Sequence, residues 1–390
     1  MNEKEPENGN RLVELGRLFL KLGTVAFGGP AAHIAMLEDE VVSRRNWLSR
    51  QHFLDLIGAT NLIPGPNSTE MTMHIGYERS GWPGVIVAGI SFIFPAFLIT
   101  GGLAFLYVKY GQLPEIEPFL AGIKPAVMAI ILGALWKLGK AAIKSWDLVP
   151  VALAAAISLY LGVNEVVALV AGGLIGMVWL RLRRSGAPTV NTFLFPFLAF
   201  LGTSAGTALM QSIDREIPLW KIGGFFLKVG AILYGSGYVL FAFLEGDLIH
   251  DYGWLTSQEL LDAIAVGQFT PGPILTTATF IGYLLGGVPG AIVATIGIFL
   301  PAFVFVGILN PLVPRLRQSL WAGAFLDAIN ACAVALMLVV TLRLGTAALV
   351  NLPSILVFGL ASIAILKYRL NSVYIVLGGG IIGYLLKLIL

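Results

Sequence analysis

The sequence predicts an all-α polytopic membrane protein made of two homologous half-repeats, and three observations carry that expectation. Hydrophobic residues fill 57% of the 390 positions and charged residues only 12%, against roughly 25% charged in soluble domains, and the mean hydropathy is +0.84. Apolar runs at 84–106, 119–136, 166–180, 288–309, 320–342 and 372–389 approach or exceed the ~20 residues of a membrane-spanning helix. The third observation is that the chain repeats itself.

Helices are expected because backbone polar groups in lipid must be satisfied within each segment. The alternating pattern of a membrane barrel is absent, and the runs are too long for barrel strands. The N-terminus "MNEKEPENGNR" is polar and lacks a signal-peptide pattern, so the first apolar helices are expected to act as the insertion signal. A single cysteine, Cys332, leaves no internal disulfide and no cysteine metal cluster. The net charge of +3 is scattered at segment ends, which fits loop placement and not a nucleic-acid surface.

The repeat is read from punctuating residues. "FLKLGTVAFGG" at 19–29 aligns with "FLKVGAILYGS" at 226–236, an offset of 207. That offset also pairs Glu38 with Glu245, Trp47 with Trp254, Asp55 with Asp262, and Pro64-Gly65-Pro66 with Pro271-Gly272-Pro273. After a one-residue slip it pairs Gly76-Tyr77 with Gly282-Tyr283, Pro83-Gly84 with Pro289-Gly290, and Pro95-Ala96-Phe97 with Pro301-Ala302-Phe303. The expected organisation is a first half-repeat at 11–184, a connecting segment with an apolar helix at 185–217, and a second half-repeat at 218–390. Repeats of this kind are a transporter signature.

Charge in the loops points to inverted halves. "VVSRRNWLSRQ" (41–51) holds three arginines, whereas its equivalent "LIHDYGWLTSQ" (248–258) holds no lysine or arginine, so the positive-inside rule puts them on opposite sides. The later loops agree if each Pro-Gly-Pro element is a re-entrant hairpin. "YVKYGQLPE" and "LGVNEV" then lie outside, and "KLGKAAIK", "RLRR" and "PLVPRLRQS" inside.

Two kinds of helix break mark the candidate site. In "NLIPGPNSTEM" (61–71) proline removes a backbone donor and clashes with the preceding turn, so Pro64-Gly65-Pro66 ends one half-helix. Asn67 is positioned to cap the next, with Glu70 three residues on in capping-box spacing. N–H groups near Ser68 and Thr69 then face the break, backed by the positive end of a helix dipole. In "QFTPGPILTTA" (268–278) Thr276 and Thr277 follow Pro271-Gly272-Pro273 in much the same place. "AFGGPAAH" (26–33), with Gly28 and Gly29, and "LYGSGYV" (233–239), with Gly235 and Ser236, form the second pair of breaks. Irregular backbone at membrane depth survives only when buried in protein or lining a polar cavity. Up to four half-helix ends meeting there suit an anion; the competing reading is a set of structural kinks.

Other polar residues divide more evenly between roles. Lys21 and Lys228 sit in apolar segments, where lysine is a functional candidate or a snorkelling interface residue. Glu38 with Glu245, and Asp55 with Asp262, read better as interface charges or partners of arginines. Glu70 lacks an acidic equivalent and is the proton-coupling candidate, with helix capping as its rival. His33 and His74 titrate in the right range for a proton role but read better as packing residues. "GTSAG" (202–206) and "GGGIIG" (378–383) fit nucleophile-elbow and dinucleotide patterns without the strands those motifs require.

"FLKLGTVAFGGPAAHIAMLEDEVV", "LIPGPNSTEMTMHIGY", "GWPG", "GQFTPGPILTTATFIGYLLGG" and "GIFLPAFVFV" together resemble the chromate ion transporter (CHR) family, long two-domain type. The resemblance covers two blocks, roughly 11–180 and 218–388. It implies a multi-pass protein of the prokaryotic cytoplasmic membrane that exports chromate, with sulfate as chemical look-alike and the proton motive force as driver. One departure is Tyr234-Gly235-Ser236-Gly237 where the first half reads Phe27-Gly28-Gly29-Pro30. Expected partners are chromate, sulfate and the bilayer, a homodimer is compatible, and no cofactor, metal or nucleic acid is expected. A membrane reductase is poorly served by one cysteine and four histidines, and a passive anion channel calls for a continuous pore with rings of charge.

Overall fold

The computed structural model describes residues 8–184, 217–309 and 319–389, apart from positions 62 and 112. Nearly all of the 185–217 connecting segment, with its expected helix, lies outside the described residues, as does the loop that carries Arg315 and Arg317. Among the described residues there are helices and no strands. The first half comprises α1 (Asn8–Val25), α2 (Pro30–Glu38, continued as a π-helical turn Asp39–Arg44), α3 (Arg50–Thr60), α4 (Asn67–Tyr110), α5 (Glu117–Ala142), α6 (Val149–Tyr160) and α7 (Glu165–Arg184). The second repeats the series as α8 (Leu219–Ile232), α9 (Leu240–Phe243, continued as a π-helical segment Leu244–Asp251), α10 (Ser257–Phe269), α11 (Thr277–Leu309), α12 (Leu320–Ala348), α13 (Leu352–Leu366) and α14 (Ser372–Ile389). Among the described residues α4, α5, α7, α11 and α12 are long and apolar enough to cross a bilayer.

The helix breaks act as tips of hairpins. Lys21 pairs with Glu40 at 2.8 Å and Glu14 with Arg45 at 3.0 Å, so α1 and α2 run antiparallel with Gly28 and Gly29 at the turn between them. His52 at the start of α3 meets Glu78 near the bend of α4 at 3.3 Å, which makes a second hairpin with Pro64-Gly65-Pro66 at its tip. The bend itself is a reversal at Ser80 (φ −151°, ψ 20°) and Gly81 (φ 61°, ψ −147°). Gly286 (φ −155°, ψ 23°) and Gly287 (φ 61°, ψ −150°) reproduce it in α11. The two limbs of each bend touch backbone to backbone, Gly76 against Gly84 and Gly282 against Gly290, a contact that only small residues permit.

Packing between halves follows the repeat. α1 packs on α4 as α8 packs on α11, and α4 meets α11 as α5 meets α12. The C-terminal pairs are exchanged: α6 and α7 pack on α12, while α13 and α14 pack on α5. Equivalent helices run antiparallel at both central contacts. Along α4 and α11, Trp82 lies against Gly307, Gly89 against Phe303 and Gly101 against Thr279. Along α5 and α12, Lys144 pairs with Asp327 at 2.8 Å, Gly139 lies against Val334 and Gly345 against Met128.

Most buried apolar side chains form one core, but α1, α2, α3 and part of α4 enclose a second, built around Leu15, Phe19, Leu37, Phe53, Met71 and Phe92. On the outside, Ile86, Ile90, Phe94 and Leu98 recur every four residues along α4 and are exposed. An apolar face of this kind is stable only against lipid or another apolar surface.

Candidate functional site

The four tips meet. Gly65 N–H donates to Leu233 O at 2.7 Å, and Gly272 N–H donates to Ala26 O at 2.9 Å. Each bond joins a Pro-Gly-Pro tip to the glycine-rich tip of the other half, and the repeat offset converts one into the other. Gly28, Gly65, Gly235 and Gly272 have φ of 107°, 146°, 95° and 88°, so the tips depend on the left-handed backbone that glycine adopts freely. The surrounding scaffold is equally paired. Gly23 rests on the Phe92 carbonyl and Gly230 on that of Ile298, while Gly272 faces Ala96 and Gly65 faces Ala302. The alanine of each Pro-Ala-Phe element is therefore the small residue that admits the opposite tip.

Both halves bring buried polar side chains to this centre. His33 Nε2 lies 3.0 Å from Ala26 O and its Nδ1 3.2 Å from Ser68 Oγ, joining the two tips of the first half. In the second half the place of His33 is taken by Leu240. Ser68, Thr69 and Glu70 are buried; the Thr69 hydroxyl and both Glu70 carboxylate oxygens have no hydrogen-bond partner among the described residues. The Glu70 carboxylate folds back over Gly65, where any Cβ would strike its Oε1. Pro64, Gly65 and Pro66 are buried, as are Pro271, Gly272, Pro273, Thr276 and Thr277. Thr276 Oγ1 donates to Pro273 O and Thr277 Oγ1 to Ile274 O, each at 2.8 Å.

The expected capping box does not form. Pro66 (φ −82°, ψ 99°) is itself the N-cap of α4, which places Asn67 first in the helix and Glu70 one position too far along to reach back to a cap. The Asn67 amide instead donates to Asn61 Oδ1 at 2.8 Å. Among the described residues the N–H groups of Asn67 and Ser68, first in the helix, are paired with no protein acceptor. They are the orphan donors of a helix N-terminus.

Lys21 and Lys228 lie outside this centre. Lys21 donates to Glu40 and Lys228 to Asp247, both at 2.8 Å, equivalent ion pairs along the shafts of equivalent hairpins. The Lys21 ammonium beside Glu40 holds that carboxyl below its ordinary value. Glu38 pairs with Arg50 at 3.4 Å, and Glu245 with Arg343 at 3.3 Å and with His250 at 2.8 Å. Asp262 accepts from Tyr107 at 2.9 Å and pairs with Lys124 at 3.4 Å. The one departure between the glycine-rich tips has a conformational reason. Gly29 has φ 78°, open to glycine, whereas Ser236 is extended at φ 179°, where any residue fits.

Three charges inside apolar runs, Lys124, Asp327 and Lys387, escaped the sequence reading, although a scan of 119–136, 320–342 and 372–389 for ionisable residues finds all of them. They line two cavities at opposite ends of α5 and α12. A cavity of about 330 Å³ is bordered by Asn61, Lys144, Gly235, Asp327 and Asn330 and so reaches a tip. One of about 660 Å³ holds Tyr107, Lys124, Gln258, Asp262 and Asn351 and borders none.

Internal repeats whose broken helices converge are a feature of transporter folds. Comparison with known sequences agrees with that architecture: the profile of the family described as Chromate transporter matches twice, over residues 13–177 and 220–384. The chain belongs to the chromate transporter family. It is a multi-pass protein of the cell membrane. A probable chromate transport protein of Synechococcus elongatus is 31% identical over 359 residues, covering 89% of this chain and 88% of the relative. The chromate transport protein of Cupriavidus metallidurans is 30% identical over 381 residues, covering 95% and 92%. An uncharacterised transporter of Methanocaldococcus jannaschii is 26% identical over 393 residues, covering 99% and 97%. No solved structure matches.

Proposed function

We propose that this protein exports chromate across the cytoplasmic membrane, driven chiefly by the membrane potential, and that the four tips bind the ion. The observation that carries the reading is the crossed pair of tip hydrogen bonds, Gly65 to Leu233 and Gly272 to Ala26, beside unpaired donors at the start of α4. Backbone N–H groups and hydroxyls held at a helix N-terminus complement a compact anion. Gly28, Gly29, Gly235 and Ser236 shape the glycine-rich tips. Asn67, Ser68 and Thr69 supply donors, Thr276 and Thr277 add theirs when their hydroxyls turn from Pro273 O and Ile274 O to the ion, and Glu70 is a secondary proton-coupling group. Lys21 and Lys228 attract the anion from the hairpin shafts when their ion pairs open.

The halves at 11–184 and 218–390 are taken to be inverted, as the antiparallel packing of α4 with α11 and of α5 with α12 supports. The α3 hairpin is taken to re-enter the membrane. Its limbs, α3 and Asn67–Arg79, are about 16 and 20 Å long at 1.5 Å per residue, and their outer ends meet at His52 and Glu78. Each limb therefore reaches little more than half of a ~30 Å hydrocarbon core.

The driving force follows from charge. One charge moved through 100 mV is worth about 2.3 kcal/mol, so a dianion leaving a negative-inside cell gains roughly 4.6 kcal/mol. That sustains an outward gradient of about three decades at 1.4 kcal/mol per tenfold. The second reading is transport of sulfate or another tetrahedral oxyanion, because N–H and hydroxyl donors recognise shape and charge and not the central atom. A channel reading makes flux unsaturable, and a reductase reading makes disappearance of chromate depend on reductant. Reconstituted liposomes with no reductant separate them: the expected result is saturable chromate flux that sulfate inhibits. Chromate loss only with reductant, or unsaturable flux, contradicts the proposal.

A further inference from the structure

The two halves share a fold but dock differently. Around Gly235, the Asn330 Oδ1 and the Ala333 methyl stand 3.2 and 3.4 Å from the place a Cβ would occupy, so the second-half tip rests on α12. Around Gly28 the neighbours are the Ala32 methyl at 3.1 Å and Asn371 Nδ2 at 3.5 Å, so the first-half tip does not rest on α5. The next elements show the same difference. α10 packs on α5, α12 and α14, whereas α3 packs on α4. α1 to α3 also share a separate core with part of α4.

The repeat alignment extends through these helices: "FLAGIKPAVMAI" (119–130) matches "FLDAINACAVAL" (325–336), which sets Lys124 opposite Asn330. Asn330 borders a tip through the smaller cavity, while Lys124 is held in the larger one by Asp262 on α10, itself bonded to Tyr107 on α4. Asp262 is buried and its Oδ1 has no hydrogen-bond partner among the described residues, so this cluster is incompletely satisfied as it stands. In a state with α3 docked on α12 and α10 released from α5, the pseudo-symmetry would carry Lys124 to Gly28 as Asn330 now stands at Gly235.

Resting on the transport reading above, we propose that Lys124 is a substrate-binding residue of the opposite-facing state. Released from Asp262, it brings an ammonium to the Gly28 tip and pairs with the tetrahedral oxyanion there. The chemistry is that of a lysine inside an apolar helix, which is stable only with an anionic partner. Asp262 is that partner in one state and the oxyanion in the other. The first half thus supplies a cation where the second supplies an amide.

Chromate self-exchange tests this in proteoliposomes with equal chromate on both sides, because exchange visits both facing states with no net driving force. Lys124→Gln is expected to raise the half-saturating chromate concentration about ten-fold or more, the loss of one charge-assisted hydrogen bond. Lys124→Arg keeps most of the affinity. The double variant Lys124→Gln with Asp262→Asn restores a neutral, bonded pair, and half-saturation is expected to stay raised; its return to the wild-type value means that Lys124 only holds the fold together. Unchanged half-saturation in Lys124→Gln also overturns the proposal. Should that variant not fold, Asp262→Asn alone decides. Freeing Lys124 is expected to lower half-saturation, and no fall refutes the idea. Absence of exchange by the wild-type protein would instead sink the transport reading itself.

Discussion

A carboxyl group with no hydrogen-bond partner is costly in a membrane interior, and among the described residues Glu70 has none at the point where the tips cross. Its position over Gly65 puts it beside the proposed anion site, yet export of a dianion needs no proton partner on energetic grounds. Glu70→Gln is therefore expected to retain chromate flux in vesicles at fixed voltage without a pH gradient. Abolished flux in a folded, chromate-binding variant makes proton exchange obligatory. Ser68, Thr69, Thr276 and Thr277 changed singly to valine are expected to weaken chromate binding several-fold, at about 1 kcal/mol per hydroxyl hydrogen bond, without unfolding the protein. Unchanged affinity across the set reduces the Pro-Gly-Pro elements to kinks. At the hairpin shaft, Glu40 is held below its ordinary 4.5 by Lys21. A depressed carboxyl contributes stability that is present above the unfolded value and lost as pH falls through the folded one. Lys21→Met is expected to flatten the fall of Tm with pH from about 5 downward, and an identical slope in both proteins contradicts this.

Among the elements, the tips carry most of the conformational demand. Gly29→Ala places a side chain at φ 78° and is expected to cost on the order of 1 kcal/mol or more, seen as a lower Tm in detergent. Ser236→Ala meets extended backbone and loses only a long cap bond from Tyr238 N–H at 3.5 Å, so it is expected to lower Tm less; equal losses at the two positions contradict the conformational account. Sequence alone made these tips legible, because proline and glycine act locally and the repeat showed each break twice. It misplaced the cap of α4, since Pro66 and Asn67 compete for that position and only the extended ψ of Pro66 decides it. The partners of Lys21 and Lys228, Glu40 and Asp247, lie across a hairpin and so were not legible from local sequence. The exchange of α6 and α7 with α13 and α14 rests on contacts far apart in sequence, which hydropathy does not encode.

For the whole molecule, the proposal of inverted halves around a central anion site rests on antiparallel equivalents, loop charge and crossed tips. Single-cysteine labelling in a Cys332→Ala background is expected to place positions 44, 45 and 50 in the cytoplasm and the 248–258 loop outside; labelling of both from one side contradicts inversion. The central claim is electrogenic oxyanion transport, and radiolabelled chromate uptake into inside-out vesicles tests it most directly. With an interior-positive potential and no pH gradient, the account predicts saturable accumulation that collapses when the voltage is shunted. Accumulation that follows an imposed pH gradient and ignores voltage would contradict it.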